Sequence, residues 1–190
     1  MTARVEVVKS FASSEECAVL NAFITVGVST NWLDKGLSRG ALGYEKRLTN
    51  RMYGGRGPNP ELALQLQQRI CQHWGLQDKE IAQTSGGNDG VFVSTTLRGG
   101  DVYRHIDPAL ARPLSTLRCT LLSSAAERGC DLYVDDTKID FSEGDLACYL
   151  VSDWPHYVTE NLGDKPRNLW MFGWYVDGHA WESGQIGVQH

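Results

Sequence analysis

The sequence lacks any long apolar run. Its longest uninterrupted apolar stretch covers residues 146–151, whereas a membrane-spanning helix needs roughly 20 apolar residues. The opening segment, MTARVEVVKS, also lacks the apolar centre of an export signal. We therefore expect a cytoplasmic protein with no membrane partner.

Cysteine and basic charge are also sparse. The five cysteines stand at wide spacings without a C-x-x-C pair, which excludes a disulfide framework and the usual structural zinc pattern. Lys plus Arg is 18 and Asp plus Glu is 23, so the net charge is −5. An acidic chain lacks the overall positive charge of a nucleic-acid-binding protein, and we expect no nucleic-acid partner.

The remaining composition is that of a globular domain. Hydrophobic residues make up 42% of the 190 residues and charged residues 22%, which is enough apolar material for one buried core. We divide this single domain (1–190) into helical or irregular N-terminal support (1–89), a β core (90–177) and a polar, Gly-rich tail (178–190). The sequence leaves the oligomeric state open.

Helical signals are confined to the first half of the chain. Ser13 and Glu16 form an S-x-x-E capping box. A second helix is predicted to begin near Pro60 and to end at Gly75. From residue 90 onward the chain consists of short β runs with no helical pattern between them. This order favours helices packed against an antiparallel sandwich or barrel over a parallel sheet.

The segment 101–109, DVYRHIDPA, contains the candidate chemistry. Side chains alternate along a strand, so Tyr103, His105 and Asp107 are predicted to share one face. A His and an Asp two residues apart can bind one metal ion, with a third ligand from a neighbouring strand. His156 is the best candidate, because the other histidines lie in a predicted helix or in the tail.

Two imidazoles and one carboxylate leave coordination positions open, as in oxygen-activating ferrous sites. The same ligands would also accept zinc, manganese, cobalt or nickel, so the residue types do not fix the metal. An H-x-D pair by itself is more often a surface pair or a buried hydrogen bond than a metal site.

The order of segments around these ligands adds a more specific signal. Residues 90–176 resemble the iron(II)- and 2-oxoglutarate-dependent dioxygenase family, nearest its prolyl-hydroxylase-like branch. The shared order comprises Tyr103, His105-Ile106-Asp107, the strand 117–124, Gly129-Cys130-Asp131-Leu132, Gly144-Asp145-Leu146, Trp154-Pro155-His156-Tyr157-Val158, Arg167 and Trp174-Tyr175.

The resemblance implies a mainly β fold with flanking helices: a double-stranded β-helix, or jelly roll, with its N-terminal helices packed on one sheet. It implies that His105, Asp107 and His156 bind Fe(II), and that 2-oxoglutarate and O2 are co-substrates. Arg167 would bind the far carboxylate of 2-oxoglutarate, because a guanidinium offers a planar, permanently charged fork. Tyr103 is expected beside the co-substrate.

Lys165 offers a second cation on the strand face of Arg167. Pro166 follows Lys165 and can interrupt the strand edge, whereas Arg167 leads directly into the apolar run. Arg167 is therefore the preferred ligand for the co-substrate.

The implied reaction is hydroxylation of an unactivated C–H bond with release of succinate and CO2. We favour a small-molecule substrate, such as a free amino acid or a natural-product intermediate. A peptide or protein side chain, such as a prolyl residue, is the alternative within the same class. A non-catalytic jelly-roll binding module is the alternative from another class.

Three further residues are candidates for substrate binding. Arg118 lies in an otherwise apolar strand and could pair with a carboxylate-bearing substrate. It could instead form an outward-facing salt bridge, since Thr116 and Thr120 suit a wet strand face. Asn50 and Arg51 lie where a lid or flanking strand could meet the substrate, or where a polar edge is solvated.

Overall fold

The computed structural model describes residues 2–29, 49–52, 59–82 and 90–187, with side chains described except at 26–29 and 49–52. The helices are α1 (Ser14–Ser29), α2 (Glu61–Trp74) and α3 (Gly178–Glu182). The strands are β1 (Glu6–Val8), β2 (Thr49–Met52), β3 (Val91–Thr96), β4 (Val102–His105), β5 (Ser115–Ser124), β6 (Leu132–Val134), β7 (Thr137–Lys138), β8 (Leu146–Leu150), β9 (His156–Val158) and β10 (Arg167–Val176).

The strands form two antiparallel sheets. The major sheet has the order β1-β8-β5-β10-β3-β2, and the minor sheet has the order β4-β9-β6-β7. Strands adjacent in the sheets are mostly distant in the chain, so the chain passes back and forth between the two sheets. This arrangement confirms the double-stranded β-helix expected from the sequence.

The central strand β5 shows how the two faces of the major sheet differ. Leu117 and Leu121 belong to the apolar core on one face. Thr116, Arg118 and Thr120 line a cavity on the other face, as the alternation of side chains along a strand requires. The polar face of β5 therefore points into the interior of the molecule. Thr116 and Thr120 are buried, so the alternative in which they lie on a solvent-exposed strand face is wrong.

The N-terminal helices pack on the outside of the major sheet. The capping box is formed as predicted: the Glu16 amide donates to Ser13 Oγ at 3.2 Å, and the Ser13 amide donates to Glu16 Oε2 at 2.9 Å. Gly75 ends α2 with a φ of 65°, a conformation that suits glycine. Leu20 of α1 and Ile70 of α2 are buried in one core with strands of this sheet.

The C-terminal segment differs from the predicted polar tail. Residues 178–182 form α3, and the Trp181 ring is fully buried. Trp181 packs edge-on against Trp74 with ring centroids 5.3 Å apart, and the Arg4 guanidinium lies 4.6 Å over the indole. Burial of this large aromatic side chain anchors a segment whose average composition is polar.

None of the helices in the described part of the chain combines the length and the apolar character needed to cross a lipid bilayer.

Candidate functional site

The edge of the minor sheet brings the predicted metal ligands together. Strands β4 and β9 are antiparallel, and His105 is paired directly with His156. Asp107 follows β4 and is fixed by its backbone amide, which donates to the Val151 carbonyl at 2.9 Å. One ligand atom from each of the three side chains lies within 4.8 Å of the other two.

The ligand atoms converge on one point. Asp107 Oδ1 lies 3.3 Å from His105 Nε2 and 4.0 Å from His156 Nε2. The two imidazole rings are 4.3 Å apart between centroids. Two nitrogens and one carboxylate oxygen thus surround a space that suits a single divalent cation, with its remaining positions open toward the cavity.

Backbone carbonyls fix which nitrogen of each imidazole can bind a metal. His105 Nδ1 lies 2.7 Å from the Tyr103 carbonyl, and His156 Nδ1 lies 3.2 Å from the Trp154 carbonyl. A carbonyl oxygen accepts hydrogen bonds and cannot donate, so each Nδ1 carries the proton. The Nε2 lone pairs are then directed at the ion, as at most histidine–metal sites.

The electrostatics of the cluster keep the ligands in metal-binding form. Burial alone would raise the pKa of Asp107, but its contact with His105 and the charge of Arg118 outweigh burial and hold that pKa well below its usual range. Burial lowers the pKa of His156 to about 4, and the neighbouring His105 is the second largest cause of this shift. Near neutral pH the site therefore offers an ionised carboxylate and a neutral imidazole.

Arg118 lies directly behind the carboxylate ligand. Its Nη2 is 3.4 Å from Asp107 Oδ2, and its guanidinium carbon lies 4.6 Å from the centroid of the Phe92 ring. On β10 the residue paired with Arg118 is Gly173, where an added Cβ would lie 3.2 Å from Arg118 Nη1. The absence of a side chain at Gly173 leaves room for the guanidinium.

The metal ligands open into a cavity of about 270 Å³ between the two sheets. Its lining includes apolar residues and a set of polar side chains from strands of the major sheet, namely Ser94, Thr96, Thr116, Arg118, Thr120, Tyr149, Arg167 and Tyr175. A mostly apolar pocket with a few convergent polar groups is the usual form of a small-molecule site.

Arg167 is a buried cation in the same cavity. Arg167 is 2% exposed, and its Nη2 has no hydrogen-bond partner within the described part of the chain. Burial lowers the pKa of Arg167. Lys165 instead pairs with Glu143 at 3.1 Å, with both side chains partly exposed. Of the two predicted cations, Arg167 is the one that reaches the cavity.

Tyr149 is a functional candidate that sequence reasoning did not identify. Its ring centroid is 5.5 Å from that of His156, and it lines the cavity that contains Arg167. Burial, and next the charge of Asp107, raise the pKa of Tyr149, so its hydroxyl keeps its proton and can donate. The sequence contains one feature that could have identified Tyr149. It is the hydroxyl-bearing side chain in the apolar run 146–151, and it points to the strand face opposite Cys148.

Tyr103 does not lie where the strict alternation of β4 places it. The residue is 46% exposed and is not among the residues that line the cavity. The pairing register between β4 and β9 shifts between Val102 and His105, and an irregularity of this kind breaks the period-two pattern. Val102 therefore lines the cavity together with His105.

Asn50 and Arg51 belong to β2 at one edge of the major sheet. They are paired with Thr95 and Ser94 of β3, and Ser94 lines the cavity. The side chains of Asn50 and Arg51 lie outside the described residues, so their contact with a substrate stays a prediction.

Comparison with known proteins gives matches at the level of structure. No family model and no curated protein sequence matches the chain. A prolyl-4-hydroxylase from Pseudomonas putida superposes with a TM-score of 0.62 at 16% identity, covering 91% of this chain and 92% of that one. A Trichoplax adhaerens prolyl hydroxylase, in complex with a hypoxia-inducible-factor peptide fragment, gives 0.63 at 16% identity, with 92% and 84% covered.

A third similar structure has a different kind of ligand. HygX from Streptomyces hygroscopicus, with nickel, 2-oxoglutarate and hygromycin B bound, superposes with a TM-score of 0.61 at 13% identity, covering 92% of this chain and 83% of that chain. At such identities the likeness establishes the fold. The chain thus has the fold of 2-oxoglutarate- and metal-dependent oxygenases, as the order of its sequence motifs predicted.

The residues of the site also fit the groups that this fold accommodates. A His–Asp–His set with open positions is a donor set for Fe(II). The orphaned guanidinium nitrogen of Arg167 needs a carboxylate that the described residues do not supply. A divalent metal would bind the His–Asp–His set, and a carboxylate of a dicarboxylate co-substrate would pair with Arg167.

Proposed function

We propose that this protein is an Fe(II)- and 2-oxoglutarate-dependent oxygenase that hydroxylates an unactivated C–H bond of a small molecule. The observation that carries the proposal is the pairing of two features in one cavity. One ligand atom from each of His105, Asp107 and His156 lies within 4.8 Å of the other two. Buried Arg167 lines the same cavity with an unsatisfied nitrogen.

Each of these residues has a distinct task. His105, Asp107 and His156 would hold the metal through their Nε2, carboxylate and Nε2 atoms. Arg167 would bind the distal carboxylate of 2-oxoglutarate, and the Tyr149 hydroxyl would donate to the same ligand. The apolar walls would exclude water and orient the reacting C–H bond.

O2 would be the oxidant, and the iron and 2-oxoglutarate held by these residues would activate it. In the overall balance, 2-oxoglutarate would be converted to succinate and CO2, with one atom of O2 incorporated into succinate. The second oxygen atom becomes the hydroxyl group on the substrate carbon, and the C–H hydrogen becomes its proton. The four electrons that reduce O2 come in equal parts from 2-oxoglutarate and from the substrate.

A small-molecule substrate is favoured by the size of the cavity. The volume of about 270 Å³ lies just below the usual range of ligand pockets, about 300–1,000 Å³, and 2-oxoglutarate would share this space with the substrate. Free amino acids and small biosynthetic intermediates fit this restriction. A prolyl side chain of a peptide is the second candidate, since it would place one ring in the cavity and leave the rest of the peptide outside.

The proposal is tested by assembling the site without oxygen. Anaerobic addition of Fe(II) and 2-oxoglutarate should produce the weak visible charge-transfer band of a chelated complex. His105→Ala should abolish the band, because it removes one nitrogen ligand. His179→Ala is the matched control, since His179 lies on α3 and does not line the cavity, and it should leave the band unchanged.

Turnover then distinguishes the enzyme from a binding module. With oxygen, wild-type protein should form succinate, and one member of a panel of amino acids and proline-containing peptides should gain the mass of one oxygen atom. A protein that gives neither the band nor succinate is not an oxygenase. Gain of oxygen by peptides alone would favour the second substrate class.

A further inference from the structure

The two oxygens of the carboxylate ligand have different neighbours. Asp107 Oδ1 faces the histidines, at 3.3 Å from His105 Nε2 and 4.0 Å from His156 Nε2. Asp107 Oδ2 instead accepts a hydrogen bond from Arg118 Nη2 at 3.4 Å. One oxygen of Asp107 therefore belongs to the metal cluster of the minor sheet, and the other contacts the major sheet.

The carboxylate of Asp107 needs a partner to keep this orientation. Asp107 lies two residues beyond the end of β4, and its backbone amide donates to the Val151 carbonyl. This bond holds the main chain but not the rotation of the carboxylate, since the last torsion of an aspartate side chain is broad. A hydrogen bond from a fixed donor to Oδ2 selects the orientation in which Oδ1 faces the histidines.

The guanidinium of Arg118 is such a fixed donor. Arg118 lies in β5 within the major sheet and is 5% exposed. Its guanidinium carbon is 4.6 Å from the centroid of the Phe92 ring. Gly173 on β10 leaves space beside it, because an added Cβ there would lie 3.2 Å from Arg118 Nη1. A planar guanidinium packed in this way presents its N–H groups in fixed directions.

We propose that Arg118 is a positioning residue of the metal site: it holds Asp107 Oδ2 so that Oδ1 stays directed at the two histidine nitrogens. Asp107 would then offer a single oxygen to the ion. This inference rests on the proposed function and deepens it. It depends on the contact with Asp107, whatever else the guanidinium touches, and Arg118 itself would not bind the metal.

The sign of a change in metal affinity distinguishes this role from that of a nearby charge. A positive charge beside the site repels a metal cation, so electrostatics alone predicts tighter metal binding when the guanidinium is removed. A positioning role predicts the opposite sign. Replacing a partner that orients a metal ligand typically weakens metal binding by about 10- to 100-fold.

Competition with a zinc-binding dye measures this affinity on the full chain. We expect Arg118→Gln to bind Zn(II) about 10- to 100-fold more weakly than wild type. Arg118→Lys keeps the charge but loses the fork, so its affinity should lie between the two. Arg98→Gln is the matched control and should bind like wild type, because Arg98 pairs with Asp164 on the exposed surface and does not line the cavity.

Wild-type or tighter Zn(II) binding by Arg118→Gln would overturn the proposal. Circular dichroism checks that each variant is folded. If Arg118→Gln does not fold, Arg118→Lys decides the question: weaker Zn(II) binding supports the positioning role, and unchanged binding overturns it.

A double-mutant cycle tests whether Arg118 acts through Asp107. In Asp107→Ala the contact is absent, so adding Arg118→Gln should cause no further loss of Zn(II) affinity. A general distortion of the cavity would instead lower the affinity by the same factor in both backgrounds. Equal losses with and without Asp107 would therefore show that Arg118 has a structural role only, and the proposal would be wrong.

Binding of 2-oxoglutarate separates this inference from the function on which it rests. Zinc-loaded wild type is titrated with 2-oxoglutarate by calorimetry. If wild type binds Zn(II) and 2-oxoglutarate while Arg118→Gln keeps full Zn(II) affinity, the positioning role fails and the oxygenase proposal stands. If wild type binds neither, the oxygenase proposal fails and the positioning role fails with it.

Discussion

Arg167 illustrates how a functional residue differs energetically from a structural one. A buried guanidinium with an unsatisfied nitrogen destabilises the ligand-free protein, since burial disfavours an uncompensated charge. The charge is explained if its partner is the carboxylate of a ligand that enters the cavity.

Replacing Arg167 with methionine should therefore separate stability from binding. We expect Arg167→Met to raise the free energy of unfolding of the ligand-free protein by about 1–3 kcal/mol, because it removes a buried, incompletely paired charge. The same substitution should abolish the stabilisation by 2-oxoglutarate. Urea denaturation with and without 2-oxoglutarate measures both effects.

Arg167→Lys is the control for this prediction. It keeps a positive charge but loses the planar fork, so 2-oxoglutarate should bind about 10- to 100-fold more weakly rather than not at all. If Arg167→Met instead destabilises the ligand-free protein like an ordinary core substitution, Arg167 has a structural role.

Two of the three candidate metal ligands could be predicted from the chain because their pattern is local. His105 and Asp107 are two residues apart, and their close approach needs little beyond an extended backbone. The position of Tyr103 could not be predicted in the same way. A register shift between two strands is decided by how β9 pairs with β4, and the sequence of β4 does not contain that information.

At the level of elements, the turn before β8 is fixed by one buried carboxylate. Asp145 accepts hydrogen bonds from the amides of Ser10 at 2.9 Å and Ser142 at 2.8 Å, and it pairs with Lys9 at 3.0 Å. These contacts join the segment after β1 to the start of β8. Because β8 carries Tyr149 into the cavity, this turn also supports the site.

Asp145→Asn should lower the free energy of unfolding by about 1–3 kcal/mol at pH 7, because an amide cannot replace an ionised carboxylate as acceptor for both segments. Burial alone would raise the pKa of Asp145, but the amides of Ser10 and Ser142 and the charge of Lys9 outweigh burial and lower it. Chemical denaturation of wild type and variant at several pH values measures the difference.

The sign of the pH dependence follows from the lowered pKa. A carboxyl whose pKa is lower in the folded state contributes stability above its unfolded pKa of about 3.9. That contribution is lost as the pH falls through the folded pKa. The difference in the free energy of unfolding between wild type and Asp145→Asn should therefore shrink below about pH 4. Asp140→Asn is the control, since the Asp140 side chain is almost fully exposed, and it should leave the denaturation midpoint unchanged. A difference that stays constant down to pH 2 would contradict this account.

At the scale of the whole molecule, the site lies between the two sheets. The metal ligands come from the edge of the minor sheet, whereas Arg118, Tyr149 and Arg167 come from strands of the major sheet. A metal and a dicarboxylate that contact both sheets should stabilise the complete sandwich, since ligands bind the folded state and not the unfolded chain.

The melting temperature should therefore rise when both ligands are present. At a free concentration 100 times the dissociation constant, one ligand adds about 2.7 kcal/mol, which corresponds to about 5–10 °C for a chain of this size. Zn(II) with 2-oxoglutarate should give a larger shift than either alone, as differential scanning fluorimetry can show. A chelator should reverse the shift, and Asp107→Ala should prevent it. Equal melting temperatures in all conditions would argue against a shared site.

The sequence by itself determined the class of fold and identified the three candidate metal ligands. Capping signals, the change from helical to strand periodicity and the H-x-D spacing are local features of the chain, and local geometry translates them directly into structure. The order of motifs from His105 to Arg167 then predicted which distant residues would meet.

The tertiary structure alone decided which face of each strand forms the site. Arg118 lies in a strand that is buried on both faces, whereas its sequence pattern, an arginine alternating with threonines, would equally have suited a face exposed to solvent. Tyr149 lies in an apolar run that reads as ordinary core, and Trp181 lies in a segment that reads as a tail. Burial depends on what packs across from a residue, and this is settled by pairing between strands that are far apart in the chain.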